Sequence, residues 1–141
     1  MSQENVELHR RTYEAFNARD VERFIGLCDP GIEFHSTFAA VGGAVYRGHA
    51  GLRRWHRDLS DAWGDDIRVE PEAYFDLGDL TLAFHVLHGR GRQSGADVVM
   101  PYAGVARWRD GACVYWKAYA HKEEALTELG VREDALVPLD P

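Results

Sequence analysis

Cysteine is scarce in this sequence of 141 residues, which contains only 2 of them, and long apolar runs are missing. Cys28 and Cys113 both lie within apolar patterns, which favours reduced, buried thiols in a cytoplasmic protein over a scaffold built on disulfides. A membrane span needs roughly 18 uninterrupted apolar residues, and no segment approaches that length. The first residues lack the basic and apolar regions of a signal peptide. We therefore predict a cytoplasmic protein with no membrane partner.

Basic residues are outnumbered: Lys and Arg total 16, Asp and Glu total 23, and the formal net charge is -7 at pH 7. Nucleic acids and anionic membranes reward a basic face, so this balance argues against either as the main partner. The hydrophobic fraction of 45% and the charged fraction of 28% are ordinary for a folded protein. The length suits a single domain, which we assign to residues 1–130, with a C-terminal tail at 131–141.

Aromatic residues and histidines are abundant, with 4 Trp, 6 Tyr, 6 Phe and 7 His. The histidine spacings do not support a metal site. His85 and His88 fall on opposite faces of a predicted strand, and His49 and His56 lie about 10 Å apart along a predicted helix. His9 is predicted to be solvated or at a rim. Because paired-cysteine, nucleotide-binding and nucleophile motifs are also missing, we predict neither a metal ion nor a cofactor.

The hydrophobic periodicity changes along the chain from helical to strand-like. Helices are predicted at 3–18, after an N-cap at Asp20, at 49–63 and at 122–129. Strands are predicted at 32–36, 67–76, 80–92, 98–109 and 112–121, with a loop at 37–48 and a tight hairpin turn at Asp110-Gly111. This order is typical of an α+β domain. Long strands that curl around helices would leave a conical cavity, open at one end.

Side-chain alternation predicts which face of each strand lines that cavity. In strand 80–92 we favour the bulkier even-numbered set, which contains His88, over the odd-numbered set, which contains His85. In strand 98–109 the predicted interior is again the even-numbered set, which contains Tyr102. One histidine of strand 80–92 therefore faces the cavity whichever set is inside.

The last predicted strand carries aromatic residues on both faces. Its even-numbered residues, Trp116 among them, suit the interior, whereas Tyr115 and Tyr119 fall on the outer face. An aromatic outer face indicates a second buried surface. Its simplest explanation is a contact between two copies of the chain, so we predict a homodimer.

Several segments match one known family in order and spacing. They are 13–20 (YEAFNARD), 32–35 (IEFH), 46–49 (YRGH), 51–55 (GLRRW), 108–111 (WRDG), 119–120 (YA) and 124–126 (EAL). Through them the span 6–129 resembles the SnoaL-like family of the nuclear-transport-factor-2-like superfamily. The resemblance implies a cystatin-like α+β barrel, in which a cone-shaped, curved antiparallel sheet wraps around the N-terminal and middle helices and encloses a hydrophobic pocket. Members include polyketide cyclases, ketosteroid isomerases, scytalone dehydratases and epoxide hydrolases, as well as binding modules without chemistry.

Ketosteroid isomerase is the member whose catalytic groups can be compared position by position. It uses an Asp base, with a Tyr and a protonated Asp as oxyanion donors. The resemblance places its Tyr on Thr12, beside Tyr13, and its base on Ser36, beside His35. Its second Asp falls on Gly104. Since none of these three positions is matched, steroid isomerisation by that route is not predicted.

The leading hypothesis is a pocket for a small, largely apolar, ring-containing molecule, with cofactor-free proton transfer in an isomerisation, cyclisation or dehydration. The candidate catalytic residues are His35, His88 and Tyr13. Either histidine would be the base, because imidazole exchanges protons near neutral pH, and Tyr13 or Tyr102 would donate to the developing oxyanion. The candidate pocket-lining residues are Phe16, Trp55, His56, Phe84, Tyr102 and Trp116. The alternative is a non-catalytic small-molecule-binding or dimerisation module.

Overall fold

The computed structural model describes residues 2–36 and 44–141, which form a curved, unclosed sheet with helices on both faces. The helices are α1 (Ser2–Asn17), α2 (Val21–Gly26), α3 (Gly48–Trp63) and α4 (Lys122–Leu129), followed by a single 3-10 turn at Glu133–Ala135. The strands are β1 (Cys28–Ser36), β2 (Ala44–Arg47), β3 (Ile67–Leu77), β4 (Leu80–Arg90), β5 (Asp97–Arg109) and β6 (Ala112–Tyr119). None of the described helices is both long and apolar enough to span a bilayer.

The strand order is β2-β1-β6-β5-β4-β3, and only the β1–β6 pair is parallel within the described sheet. The β5–β6 turn has positive φ at both Asp110 (52°) and Gly111 (78°), as a tight two-residue hairpin requires. Asp20 caps α2, because its side chain accepts a hydrogen bond from the Arg23 backbone N–H. The predicted α+β architecture is confirmed.

The concave face of the sheet packs against α1 and α3. Helix α1 lies against β3 and β4, and α3 lies against β1 and β2. Val6, His9 and Tyr13 are buried on one face of α1, and Leu52 and Trp55 are buried on one face of α3. Their spacings of three and four residues bring these side chains to the same side of each helix, which is why both helices form against the sheet.

The convex face of the sheet is also covered, because α4 packs against β5 and β6. Phe75, Leu82, Val105, Tyr119 and Leu126 form a second buried cluster there. The burial of Tyr119 is thus explained within one chain, and the homodimer stays a prediction.

The C-terminal residues add to the outer strand β3. Leu139 and Tyr74 exchange two backbone hydrogen bonds, with N···O distances of 2.8 and 3.1 Å. Leu139 also packs against the core, while Val131 and Leu136 pack against the cluster on the convex face. The segment predicted as a tail therefore lies along the domain.

The prediction that the even-numbered residues of β4 face the cavity is wrong. Thr81, Ala83, His85 and Leu87 are at most 1% exposed and belong to the concave side, whereas His88 is on the opposite face. Side-chain bulk does not identify the inner face of β4, because both faces of this strand are covered by other parts of the chain. The outer face packs under the second cluster, so apolar bulk does not distinguish inside from outside.

The predicted loop at 37–48 can be compared with the structure only at residues 44–48, since residues 37–43 lie outside the described part of the chain. Beyond them the loop prediction is wrong. Residues Ala44–Arg47 form β2, which pairs antiparallel with β1 and places Tyr46 opposite Phe34. Strand β1 also begins earlier than predicted, at Cys28, with an irregular register before Glu33.

Candidate functional site

An apolar cavity lies between the concave face of the sheet and the first three helices. The space inside it that the centre of a water-sized sphere can reach is about 40 Å³. It is lined by Tyr13, Phe16, Phe24, Phe34, Ser36, Trp55, Leu59, Ile67, Val69, Leu87, Tyr102, Trp116 and Ala118. These described residues include no charged side chain, so the cavity suits an uncharged, largely apolar occupant.

Aromatic rings form much of the cavity wall. Phe34 and Trp116 stack nearly parallel, with ring centroids 5.8 Å apart. Trp55 packs against Phe34 at 4.6 Å and against Phe24 at 5.2 Å. Rings that pack on one another in this way hold their positions and present flat faces and edges to a ligand. The wall is therefore complementary to another ring.

Tyr13 and Tyr102 are the two tyrosines that line this apolar cavity. The Tyr13 hydroxyl is hydrogen-bonded to His85 Nε2, and its oxygen is 3.3 Å from His9 Nε2. Tyr102 also hydrogen-bonds with Tyr13, and its ring packs against His85 with centroids 3.5 Å apart. Two local regularities build this arrangement. His9 and Tyr13 are one helical turn apart in α1, and His85 pairs with Tyr102 across β4 and β5.

Behind Tyr13 the hydrogen bonds continue into the core. His9 Nδ1 is 2.6 Å from the Thr81 hydroxyl oxygen, which also accepts a hydrogen bond from the Trp108 indole N–H at 2.8 Å. The side chains of Trp108, Thr81, His9, Tyr13 and His85 thus form one continuous chain, and all five are buried. We call this set the buried polar chain. A buried network whose members pair with one another holds them in a single arrangement.

The protonation states along the buried polar chain follow from its burial. Burial lowers the pKa of His9 from 6.5 to about 3. Burial, with a smaller effect from His9, lowers the pKa of His85 well below its usual value. Burial, followed by the influence of Tyr102, raises the pKa of Tyr13 well above 10.0. At neutral pH the site therefore consists of two neutral imidazoles around a protonated tyrosine.

Gly104 provides the space that Tyr13 and His85 need. A Cβ atom at this position would lie 2.5 Å from the Tyr13 hydroxyl oxygen and 3.1 Å from His85 Nε2. The first distance is below any ordinary contact, and both neighbours are held by their hydrogen bonds. The space beside Gly104 is thus occupied by the Tyr13–His85 pair.

Replacing Gly104 with Ala should lower the free energy of unfolding by about 1–3 kcal/mol, because the added methyl group overpacks the site. Gly26→Ala is the matched control. A Cβ at Gly26 meets nothing within 4 Å at the end of α2, so that variant should be neutral or slightly stabilising. Urea unfolding of both variants measures the difference, and equal stabilities would contradict the proposed crowding at Gly104.

The predicted site residues fall into three groups: those that line the cavity, one that lies beside it and three that lie away from it. Tyr13, Phe16, Trp55, Tyr102 and Trp116 line the cavity. His56 lies beside it, in a neighbouring depression that shares Phe16 and Trp55 and has Arg19, Asp20 and Ser60 at its edge.

Phe84, His35 and His88 lie away from the cavity. Phe84 packs against Phe75 on the convex side, with the Lys122 ammonium over its ring. This outward position of Phe84 corrects the even-numbered assignment of β4.

The two histidines predicted as bases each face a glutamate. His35 Nε2 is 2.6 Å from a Glu33 carboxylate oxygen, because residues 33 and 35 share one face of β1 while Phe34 and Ser36 point to the cavity. His88 Nε2 is 3.1 Å from a Glu70 carboxylate oxygen. The structure does not bring either histidine to Tyr13.

The structure brings His85 to the site through the odd-numbered set of β4, which was the alternative to the favoured one, and His9 and Thr81 join it without having been predicted as site residues. The prediction that His9 is solvated or at a rim is wrong, because His9 is 0% exposed. A signal was present, since His9 shares the apolar face of α1 with Val6 and Tyr13. A histidine on an apolar helix face needs a buried partner, and Thr81 on β4 supplies it.

Within the described ranges, no three His, Cys, Asp or Glu residues are grouped so that they could hold a metal ion. Cys28 and Cys113 are paired across β1 and β6 as buried free thiols.

Residues 9–116 match the SnoaL-like domain, and the chain belongs to this family. Among curated proteins, none is detectably similar in sequence. The matched span contains Tyr13, Thr81, His85 and Trp108, and it begins at His9.

Solved structures share the fold at low sequence identity. An NTF2-like protein of unknown function from Burkholderia pseudomallei has a TM-score of 0.76 at 17% identity, over 88% of this chain and 95% of that one. TerC, co-crystallised with polyporic acid, has a TM-score of 0.74 at 22% identity, over 89% and 97%. A proposed polyketide cyclase from Xanthomonas campestris has a TM-score of 0.70 at 18% identity, over 91% and 98%. These likenesses establish the NTF2-like fold.

Proposed function

We propose that the chain binds a small, largely apolar, ring-containing molecule in the aromatic cavity and transfers a proton to or from it at Tyr13, without a cofactor. The observation that carries this proposal is that Tyr13 lines the cavity and that two neutral imidazoles contact its hydroxyl group. An isomerisation, a cyclisation or a dehydration would each use such a group.

The cavity walls support the choice of ligand. Stacked rings around Phe34, Trp55 and Trp116 favour a flat apolar molecule. The hydroxyl groups of Tyr13 and Tyr102 favour a ligand that carries an oxygen, because a phenolic hydroxyl can donate a hydrogen bond to it. The likeness to TerC, which was co-crystallised with the small molecule polyporic acid, is consistent with an occupant of this kind.

The proposed chemistry is the enolisation of a ring ketone. The Tyr13 oxygen takes a proton from the carbon next to the ketone while its own hydrogen passes along the Tyr13–Tyr102 hydrogen bond to the Tyr102 oxygen. The Tyr102 hydrogen moves to the ketone oxygen at the same time. The C–H bond breaks, an O–H bond forms on the ketone oxygen, and the ligand becomes a neutral enol while both imidazoles stay neutral. Return of the proton to another position of the ligand by the reverse transfers completes an isomerisation.

Deuterium exchange tests this function with 2-tetralone, a small ring ketone whose α-hydrogens are enolisable. In D₂O the protein should accelerate loss of the α-hydrogen signals in proton NMR spectra well above the buffer rate. Tetralin, which has the same rings without the oxygen, is the matched ligand for binding alone. Both compounds should raise the thermal stability of the protein, and 2-tetralone should raise it more.

A non-catalytic binding module is the second candidate function. It is favoured by the cavity lining, which contains no carboxylate among the described residues. Stabilisation by 2-tetralone together with exchange at the buffer rate would support this module and contradict the enzyme. No stabilisation by either compound would contradict both candidates.

A further inference from the structure

We propose that Trp108 and Thr81 are positioning residues that fix the tautomer of His9, so that its Nε2–H donates to the Tyr13 oxygen. The part that Trp108 and Thr81 play in proton transfer rests on the function proposed above. The assignment of the His9 tautomer does not depend on that function. Neither Trp108 nor Thr81 is among the residues that line the cavity. Their influence on a ligand would pass through His9 and Tyr13.

Trp108 determines which group donates and which accepts in the hydrogen bonds of the buried polar chain. An indole N–H can only donate a hydrogen bond, and the Trp108 Nε1 atom lies 2.8 Å from the Thr81 hydroxyl oxygen. Thr81 therefore accepts at this contact. Both side chains are buried, with Trp108 3% exposed and Thr81 0% exposed, so water does not offer a substitute partner.

The hydrogen of the Thr81 hydroxyl then has one acceptor among the described residues, His9 Nδ1 at 2.6 Å. If His9 instead carried its proton on Nδ1, Thr81 would accept from two N–H groups and its own hydrogen would be buried without a partner. Leaving a buried donor unpaired is costly. The Nδ1 atom of His9 is therefore the acceptor, and the proton of the neutral imidazole is on Nε2.

The Nε2–H group of His9 faces the Tyr13 oxygen, 3.3 Å away. This donor leaves the hydrogen of the Tyr13 hydroxyl free to point at the Tyr102 oxygen or at a ligand. It also stabilises negative charge on the Tyr13 oxygen when that hydrogen leaves. In this way a donor deep in the core sets which way the proton of Tyr13 can move.

Nitrogen-15 NMR of the histidine side chains measures the tautomer directly in the full-length protein without ligand. We expect His9 to show a protonated Nε2 and a bare Nδ1 at pH 7. Thr81→Ser keeps the hydroxyl group and should keep this tautomer. Thr81→Val is nearly isosteric but lacks the hydroxyl, and Trp108→Phe lacks the donor, so each should show a changed His9 Nδ1 signal. A proton on Nδ1 of His9 in the unsubstituted protein would overturn the proposal.

The effect of Thr81 on proton transfer is measured separately, by the rate of deuterium exchange. Thr81→Val should slow α-deuterium exchange of 2-tetralone about tenfold, the effect of one lost hydrogen bond, with its affinity for the ketone unchanged. Thr81→Ser should restore the rate. If the tautomer is as stated but the unsubstituted protein shows no exchange, the proposed function fails and the tautomer assignment stands. If exchange occurs and Thr81→Val leaves its rate unchanged, the positioning role is wrong.

Discussion

Replacing Tyr13 with Phe should slow the α-deuterium exchange of 2-tetralone by about 10²–10³-fold, the usual loss when one preorganised hydrogen-bonding group is removed from a developing oxyanion or proton path. The variant keeps the ring that packs between His9, His85 and Trp116, so the cavity shape is conserved. The affinity for tetralin should therefore stay within a few-fold of the unsubstituted protein. Proton NMR measures the exchange, and calorimetry measures the binding.

Tyr74→Phe is the matched control for that experiment. Tyr74 is also fully buried beside His9 and Tyr13, but its hydroxyl has no hydrogen-bond partner among the described residues. Removing this hydroxyl should leave the exchange rate unchanged and should not lower stability. A Tyr13→Phe variant that exchanges 2-tetralone as fast as Tyr74→Phe would show that the Tyr13 hydroxyl is not the reacting group.

Lowering the pH from 7 to 5 should destabilise the fold by about 2 kcal/mol through His9 alone, and His85 should add to the loss. Each imidazole binds a proton readily in the unfolded chain below pH 6.5, but burial keeps both neutral in the folded chain. Protons therefore favour the unfolded state. The stability is complete above about pH 6.5 and falls progressively as the pH drops towards 3.

Urea unfolding at pH 7, 6 and 5 measures this effect in a window where carboxylates contribute little. The pKa values of Glu22, Glu33 and Glu128 are lowered, chiefly by side-chain hydrogen bonds, so the stability they provide is lost only below about pH 4.5. His9→Gln removes one titrating group and should flatten the profile between pH 7 and 5. A profile for the unsubstituted protein that does not change over this range would contradict the buried neutral histidines.

The fold could be predicted from the sequence because its local signals agree with one another. The apolar spacing of α1 and α3, the Asp20 cap and the Asp110-Gly111 turn each specify an element without knowledge of the rest. The short strand β2 was missed. Its four residues, Ala44–Arg47, show a single buried side chain, Tyr46, and its pairing with β1 is a property of the folded chain.

The site was harder to predict because it depends on which face of a strand is inside. On β4 the odd-numbered side chains are buried, but the even-numbered face is also apolar and half-buried, so the alternation of apolar and polar residues that locates the interior of a sheet is weak. His85 and His88 therefore could not be distinguished by bulk. The polar residues indicate the inner face of β4 better than bulk does. Thr81 and His85 both fall in the odd-numbered set, and each hydrogen-bonds to a residue of α1. That pairing joins residues 72 positions apart, which local patterns do not reveal.

The most direct measurement of the central claim is a crystal structure of the protein with 2-naphthol, which combines a flat apolar ring system with one oxygen. We expect the rings to lie among Phe34, Trp55 and Trp116, with the naphthol oxygen about 3 Å from the Tyr13 hydroxyl oxygen. A naphthol bound elsewhere on the protein, or bound in the cavity with its oxygen at the mouth and away from Tyr13, would contradict it.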